Sequence, residues 1–404
     1  MRRTDHPREL LPPYARDVSG QTVFSENTAG AAVAETSEDS VVRPTRPIRV
    51  CIMAPSLDIF GGQARQAVRL MTGLRSEPTL DISFIPHNPR LPGPLRLLQR
   101  IKYVRTIVTS LAYWLLLLAR VWRYDVIHVF SASYYSYLFC CMPAILIGRM
   151  YQVKVLVDYR SGEAEDHLRN WKLTAVPVLR RADMIVVSSG YLQSVFAQFG
   201  LRTRTIVDIV ELDTFAFRER KPLRPVFLTS RLHEPLYNVP CVLRAFALIQ
   251  ERIPEATLTV AGDGWMRPQL EELARDLQLR NTTFVGRVDF ARMPALYDAA
   301  DIYLTATDLD NMPGSVIECL SCGVAVVTTD AGGVPYLVTH EQTALIVPRN
   351  DHRAMAASAI RLLEDPELAL RLTRAGRESA RQFTWPAVRP KWMKAYRELS
   401  GESA

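Results

Sequence analysis

From Arg46 onward, short β-branched and aliphatic runs alternate with stretches of helical periodicity, the rhythm of parallel βαβ units. In the first half, strands are predicted at residues 48–53, 80–85, 125–130, 153–157, 184–187 and 205–207. Helices are predicted to open near Gly62, Pro94, Tyr134, Leu168 and Gly190. The second half repeats the rhythm, with strands at 225–229, 256–261, 283–285, 302–305, 324–328 and 344–347. Between the halves, residues 215–225 carry Arg218, Glu219, Arg220, Lys221, Pro222 and Pro225 and read as a solvated linker. The pattern predicts an α/β chain of two Rossmann-like, doubly wound domains, at 46–216 and 217–385, with a last helix at 386–404 crossing back to the first. Residues 1–45 lack periodicity and an apolar run of the signal-peptide kind, and read as a disordered tail.

A length of 404 residues suits two cores of ordinary size. The net charge of +7 makes an acidic partner plausible: a phosphorylated substrate, an anionic membrane surface or nucleic acid. Nucleic acid is the weaker choice, because the basic residues share a segment with aliphatic runs and no binding motif is present. Six scattered cysteines form no disulfide framework, which points to a reducing cytoplasm. Cys319 and Cys322 form a CxxC without a second pair, so no metal site is expected.

The first strand runs into Ala54-Pro55-Ser56-Leu57-Asp58-Ile59-Phe60-Gly61-Gly62, which lacks the GxGxxG spacing a nicotinamide site needs. The most informative stretch is residues 308–333. It reads as a strand end, a loop, a helix opening near Gly314 and a second buried strand. Amides at a helix start carry partial positive charge and can receive a diphosphate. Asp310 stands just before that start and Glu318 one turn in, so one carboxylate can bond sugar hydroxyls and the other a ribose diol. Alternatively, Asp310 is a solvated cap and Glu318 a surface charge.

In combination these residues resemble the retaining glycosyltransferases of family 4, whose GT-B fold sets two Rossmann-like domains across a cleft. That family's signature is a Glu, seven residues and a second Glu, followed by a small-residue helix, a Gly, a valine strand and a Gly-Gly turn. This chain has Asp310, seven residues and Glu318, then Gly323, Val324 to Val327, and Gly332-Gly333. Asp310 is one methylene shorter than the residue it replaces. The resemblance spans residues 46–399 and is strongest over 230–348. It implies that Arg231, Asp310 and Glu318 form the reacting centre. Gly61, Gly62, Ser230, Gly262, Gly264, Val285, Arg287, Met312, Pro313, Gly314 and Ser315 would surround the nucleotide sugar. Relatives carry a Lys six residues after the Arg, and here Tyr237 takes that place. The departure removes a cation that would neutralise the leaving diphosphate. Relatives carry a His at the position of Phe130, so His128 reads as a buried strand residue.

The resemblance further implies retention at the sugar carbon, no cofactor beyond the nucleotide-sugar co-substrate, and no divalent metal. A catalytically silent GT-B scaffold is the alternative that Tyr237 raises, and a sugar-nucleotide epimerase shares the architecture. Pyridoxal phosphate chemistry is excluded, because the few lysines avoid the donor motifs.

One segment stands outside the signature. No Asp or Glu occurs between Asp81 and Asp125, whereas Arg90, Arg96, Arg100, Lys102, Arg105, Arg120 and Arg123 do. The basic flank leads into the uncharged run 107–119, and a second run at 134–148 holds four aromatics. Both are short for a bilayer span and suit an element lying in its interface; the alternative is that they are helices buried inside the first domain, with the arginines as a solvated face. The chain is thus expected to be cytoplasmic, peripheral on the inner membrane face, with a lipid-linked or polysaccharide acceptor.

Overall fold

A computed structural model describes residues 46–57, 61–101 and 103–401, so the expected tail at 1–45 and Lys102 lie outside the described residues. The first sheet contains β1 (Ile48–Ala54), β2 (Leu80–Pro86), β3 (Val126–Ser131), β4 (Lys154–Tyr159), β5 (Met184–Val187) and β6 (Arg204–Thr205). They lie in the order β2-β1-β3-β4-β5-β6 and all pair in parallel. The second sheet contains β7 (Val226–Ser230), β8 (Thr257–Ala261), β9 (Thr282–Gly286), β10 (Ile302–Thr305), β11 (Ala325–Thr329) and β12 (Leu345–Val347). Its order is β12-β11-β10-β7-β8-β9, again parallel throughout. Both orders reverse direction once, between β1 and β3 and between β7 and β10, and such switch points open a crevice at the carboxyl ends of the strands.

The central strands read as continuous apolar runs because helices cover both of their faces. β3 and β11 are buried at every position. Each sheet therefore carries a core on either side, and the helix Trp385–Ser400 completes one of them. Val388, Trp392, Ala395 and Tyr396 of that helix pack with Val50, Ile52 and Leu70 of the first domain.

The segment expected to be a solvated linker is packed against the second domain. Phe215 and Leu223 are buried and Arg220 is only 3% exposed. The Arg220 guanidinium donates to the carbonyls of Ala300, Tyr297 and Cys322 at 2.9, 2.9 and 2.6 Å, beside Asp301 at 3.3 Å. Its charge marked it as exposed, but a guanidinium with that many acceptors is satisfied when buried. The change of domain falls earlier, between Ile209, in the first domain's core, and Val210, in the second's.

The two apolar runs of the basic segment have different fates. Run 134–148 turns largely inward, with Tyr137, Cys141, Ala144 and Ile145 buried in the first domain. Run 107–119 belongs to α2 (Val104–Arg120), after helix α1 (Gly62–Arg75) in the chain. With its terminal turn α2 forms a 20-residue helix of mean hydropathy 1.5, long and apolar enough to cross a membrane. However, Tyr113, Leu117 and Val121 are packed into the domain core, which fastens the helix lengthwise to the protein. Its opposite face is exposed: Ile107, Leu111, Leu115, Leu118 and Trp122 recur at helical spacing, 40–65% accessible.

Candidate functional site

The site is built where the two switch points face each other. β7 ends at Ser230, and the chain turns at Arg231. Arg231 Nε donates to Thr305 Oγ1 at 3.2 Å, its guanidinium pairs with Asp310, and its face lies 5.0 Å from the Tyr237 ring centroid. Burial works against the charge on Arg231, but the Asp310 carboxylate outweighs it and raises the pKa above the usual guanidinium value. Arg231 is therefore a fixed cation.

Two glycines keep this backbone in place. Gly262, after β8, has φ +133°, and a Cβ there would sit 1.9 Å from the Arg231 carbonyl oxygen. A Cβ on Gly333 would sit 1.8 Å from the Asn311 carbonyl oxygen. Neither loop could close so tightly with a side chain in the way.

The helix Gly314–Cys322 begins at the far end of that loop. It has no side-chain cap and no acidic residue in its first turn. Gly314 and Ser315, at its start, line the cleft. Tyr303 braces the opening by donating to Ser315 Oγ at 2.9 Å. Glu318, 2% exposed, follows one turn later and accepts from the Tyr297 hydroxyl at 2.9 Å. Across the cleft, Arg65 and Arg69 of α1 come within 3.5 and 3.7 Å of Glu318 Oε1. Burial raises the Glu318 pKa, with both arginines opposing. The same burial lowers the pKa of Arg69, against the carboxylate of Glu318. Glu318 is thus neither solvated nor on the surface.

Together these groups enclose a cleft of about 630 Å³. Of the residues predicted from the sequence, Gly62, Ser230, Arg231, Gly262, Gly264, Arg287, Met312, Gly314, Ser315 and Glu318 line it. Gly61 precedes α1 with open space where a Cβ would stand. Pro313 is the N-cap of the helix Gly314–Cys322. Asp310 is set beside Arg231 rather than at a helix cap. Val285 does not line the cleft and is 41% exposed, because Gly286, at φ +70°, turns the chain so that Arg287 and Val288 do.

The sequence reading missed Arg65, Arg69, Asp208 and Tyr297, which also line the cleft. A signal for Arg69 was present. It shares the buried face of α1 with Ala67, Leu70 and Leu74, where an unpaired cation would be costly. The first domain also sends in a buried chain of polar groups. His128, fully buried, reaches Tyr396 at 2.8 Å and Asp158 at 3.2 Å. Arg160 joins Asp158, at 2.7 Å, to Asp208. Asn311, from the loop beside Asp310, donates to Ser188 Oγ at 2.6 Å and ties that loop to the first domain. Among the described residues no lysine lines the cleft, and Tyr237 does so with its ring over Arg231.

Two facing Rossmann-like domains with a nucleotide-sized cleft at their switch points define the GT-B fold. The comparisons agree. The family model of Glycosyl transferases group 1 matches residues 213–379, the second domain. A Mycobacterium tuberculosis glycogen synthase is 26% identical over 287 residues, 67% of this chain and 67% of its own length. A Mycolicibacterium smegmatis GDP-mannose-dependent alpha-(1-6)-phosphatidylinositol monomannoside mannosyltransferase is 28% identical over 241 residues, 53% of this chain and 63% of its own length. Among solved structures, a sucrose-phosphate synthase from Thermosynechococcus elongatus superposes with TM-score 0.72 at 21% identity, covering 88% of this chain and all of its own. These likenesses support a GT-B glycosyltransferase.

Proposed function

We propose that this chain is a retaining, metal-independent glycosyltransferase of the family 4 kind. It would move a sugar from a nucleotide-sugar donor to a lipid-linked or polysaccharide acceptor at the cytoplasmic membrane face. The observation that carries the reading is the meeting of the Arg231 cation, the uncapped start of the helix Gly314–Cys322 and the Glu318 carboxylate in one cleft.

In this reading the donor diphosphate lies on the amides of Gly314 and Ser315 and beside Arg231, which offsets the charge that grows on the leaving oxygen. Glu318 takes the ribose diol, and Asp310 turns from Arg231 to the sugar hydroxyls. The bare backbone at Gly61 and Gly62 lets the first domain approach the sugar. Tyr237 supplies no charge where relatives have a lysine. Arg65 is the replacement in this reading, since it enters the same cleft from α1 and is one-third exposed. The protein's work is then to position the reactants and stabilise charge, and no side-chain nucleophile is needed.

The exposed stripe of α2 supports the membrane part of the proposal. A helix fixed by one face and apolar on the other suits the boundary of headgroups and acyl chains. The acid-free, arginine-rich stretch beside it suits an anionic leaflet. The phosphatidylinositol monomannoside named for the mannosyltransferase relative is an acceptor of this class.

Hydrolysis of UDP-, GDP- and ADP-sugars by the purified full chain tests the activity, and turnover of at least one is expected. Protein that binds none and hydrolyses none would favour a silent scaffold, the reading Tyr237 raises.

A further inference from the structure

The first domain holds a second concavity, of about 890 Å³, that shares no lining residue with the donor cleft. Its walls come from the residues just after β2, the 3-10 helix Gly93–Arg100, the first turns of α2 and the segment after β3. Arg90, Arg96, Arg100 and Arg105 line it, and no carboxylate does. The cause is legible in the chain, which has no acidic residue between Asp81 and Asp125.

Some exposed arginines of the chain are neutralised by carboxylates, as Arg49 is by Asp125 at 2.9 Å and Arg374 by Glu219 at 2.8 Å. Among the described residues, the side chains of Arg96, Arg100 and Arg105 have no ion pair. Like charges gathered in one concavity repel, and a bound anion relieves that cost. Guanidinium groups also match phosphate oxygens in paired hydrogen bonds.

The frame is braced. Gln99 donates to the Pro89 carbonyl at 2.9 Å and to Thr109 Oγ1 at 3.0 Å, and accepts from Leu91 N at 3.1 Å. One side chain thus ties together the loop after β2, the 3-10 helix and α2. The pocket also has a defined setting. Asn88 accepts from Ser56 N at 2.8 Å, in the loop that leads from β1 toward Gly61 and the donor cleft. Beside it stand exposed apolar residues, Leu95, Leu97, Ile101 and Ile107, all more than half accessible.

The geometry points to this pocket as a binding site for a phosphate group carried by a lipid. The arginines take the phosphate, and the neighbouring apolar residues take the start of the chain that bears it. Phosphate binding stands without the glycosyltransferase reading, and only the use of the bound lipid as acceptor rests on it.

Two sources share this chemistry: a lipid diphosphate, or the headgroup of a bilayer phospholipid. Modification of arginine by phenylglyoxal, read residue by residue by mass spectrometry on the full chain, separates them. Farnesyl diphosphate is the first probe, and vesicles of phosphatidylglycerol in phosphatidylcholine are the second. Protection of Arg96, Arg100 and Arg105 by farnesyl diphosphate assigns the site to a lipid diphosphate. Protection by the vesicles alone assigns it to a headgroup.

In the triple variant Arg96→Gln, Arg100→Gln and Arg105→Gln, the protecting probe is expected to bind at least about tenfold more weakly, as for a lost charge-assisted hydrogen bond. Nucleoside diphosphate binding in the donor cleft should be unchanged, which also shows that the variant is folded. No protection by either probe, or equal binding by the variant, overturns the proposal. A chain that turns over a nucleotide sugar without protecting these arginines sinks the pocket alone. Protection without donor turnover sinks the donor reading alone.

Discussion

Glu318 is the residue on which the donor reading turns, and two substitutions separate its roles. Its carboxylate accepts from Tyr297 and offsets Arg65 and Arg69 across the cleft. Glu318→Gln keeps the volume and an acceptor for Tyr297 but removes the charge. A hydrogen bond to a charged group contributes about 1.5–3 kcal/mol and a neutral one about 0.5–1.5 kcal/mol. The Gln variant should therefore bind nucleoside diphosphate about 1–1.5 kcal/mol more weakly, roughly five- to tenfold. Glu318→Ala should lose the full bond, about 1.5–3 kcal/mol. It also takes from Arg69, whose side chain is 3% exposed, its one buried carboxylate and leaves it only the half-exposed Glu211 at 3.8 Å, so its melting temperature should drop more than that of the Gln variant. Isothermal calorimetry against UDP, GDP and ADP gives the affinities, and scanning calorimetry gives the melting. Because burial raises the Glu318 pKa, affinity should fall with pH at values above the ordinary 4.5, as the proton occupies the oxygen the ribose needs. An unchanged dissociation constant in folded Glu318→Ala refutes the ribose assignment.

Arg231→Ala should lower turnover by about a hundredfold or more, as for loss of a preorganised charge-stabilising donor, measured as donor hydrolysis at saturating donor. Burial lowers the His87 pKa from 6.5 to about 3, so the folded state cannot take the proton that the unfolded chain accepts. The stability this gives is complete above pH 6.5 and is lost as pH falls toward 3; at pH 5 the loss is about 2 kcal/mol. Denaturant midpoints at pH 7.5 and 5 check it against His87→Gln, which should flatten the dependence. Leu111→Ser, Leu115→Ser and Leu118→Ser together should weaken sedimentation with anionic vesicles by about 3 kcal/mol, roughly a hundredfold, from lost apolar burial. The wild type should dissociate as salt shortens the screening length from about 10 Å at 0.1 M to about 3 Å at 1 M. Wild-type protein that stays in the supernatant at low salt would show that the stripe meets no bilayer.

The fold was legible because its signal is local. Buried parallel strands such as Val324 to Val327 announce themselves as unbroken apolar runs, and Gly262 and Gly333 mark close backbone approaches that leave no room for a side chain. What was hidden depends on the meeting of distant segments. Arg65 and Arg69 lie some 250 positions from Glu318, and only the facing of α1 against the helix Gly314–Cys322 brings them to that carboxylate. Arg220 looked solvated because charge, read along a sequence, says nothing of the carbonyls waiting to receive it. The arginine pocket was half visible. The acid-free stretch showed that charge accumulates, but not that Gln99 folds three segments into one concavity.

The return of the last helix to the first domain has a mechanical consequence. The chain passes between the domains twice, once at Ile209–Val210 and once just beyond Phe383, and Val210 N donates to the Phe383 carbonyl at 2.8 Å. The two passages are thus stitched together. A single tether would let one domain swivel, tilt and twist against the other. Two tethers side by side act as the spine of a book, which opens and shuts about one axis and resists twisting. Arg65 and Arg69 on one page and Glu318 on the other then stay in register as the cleft opens, so a donor that replaces their contact needs to set only one angle.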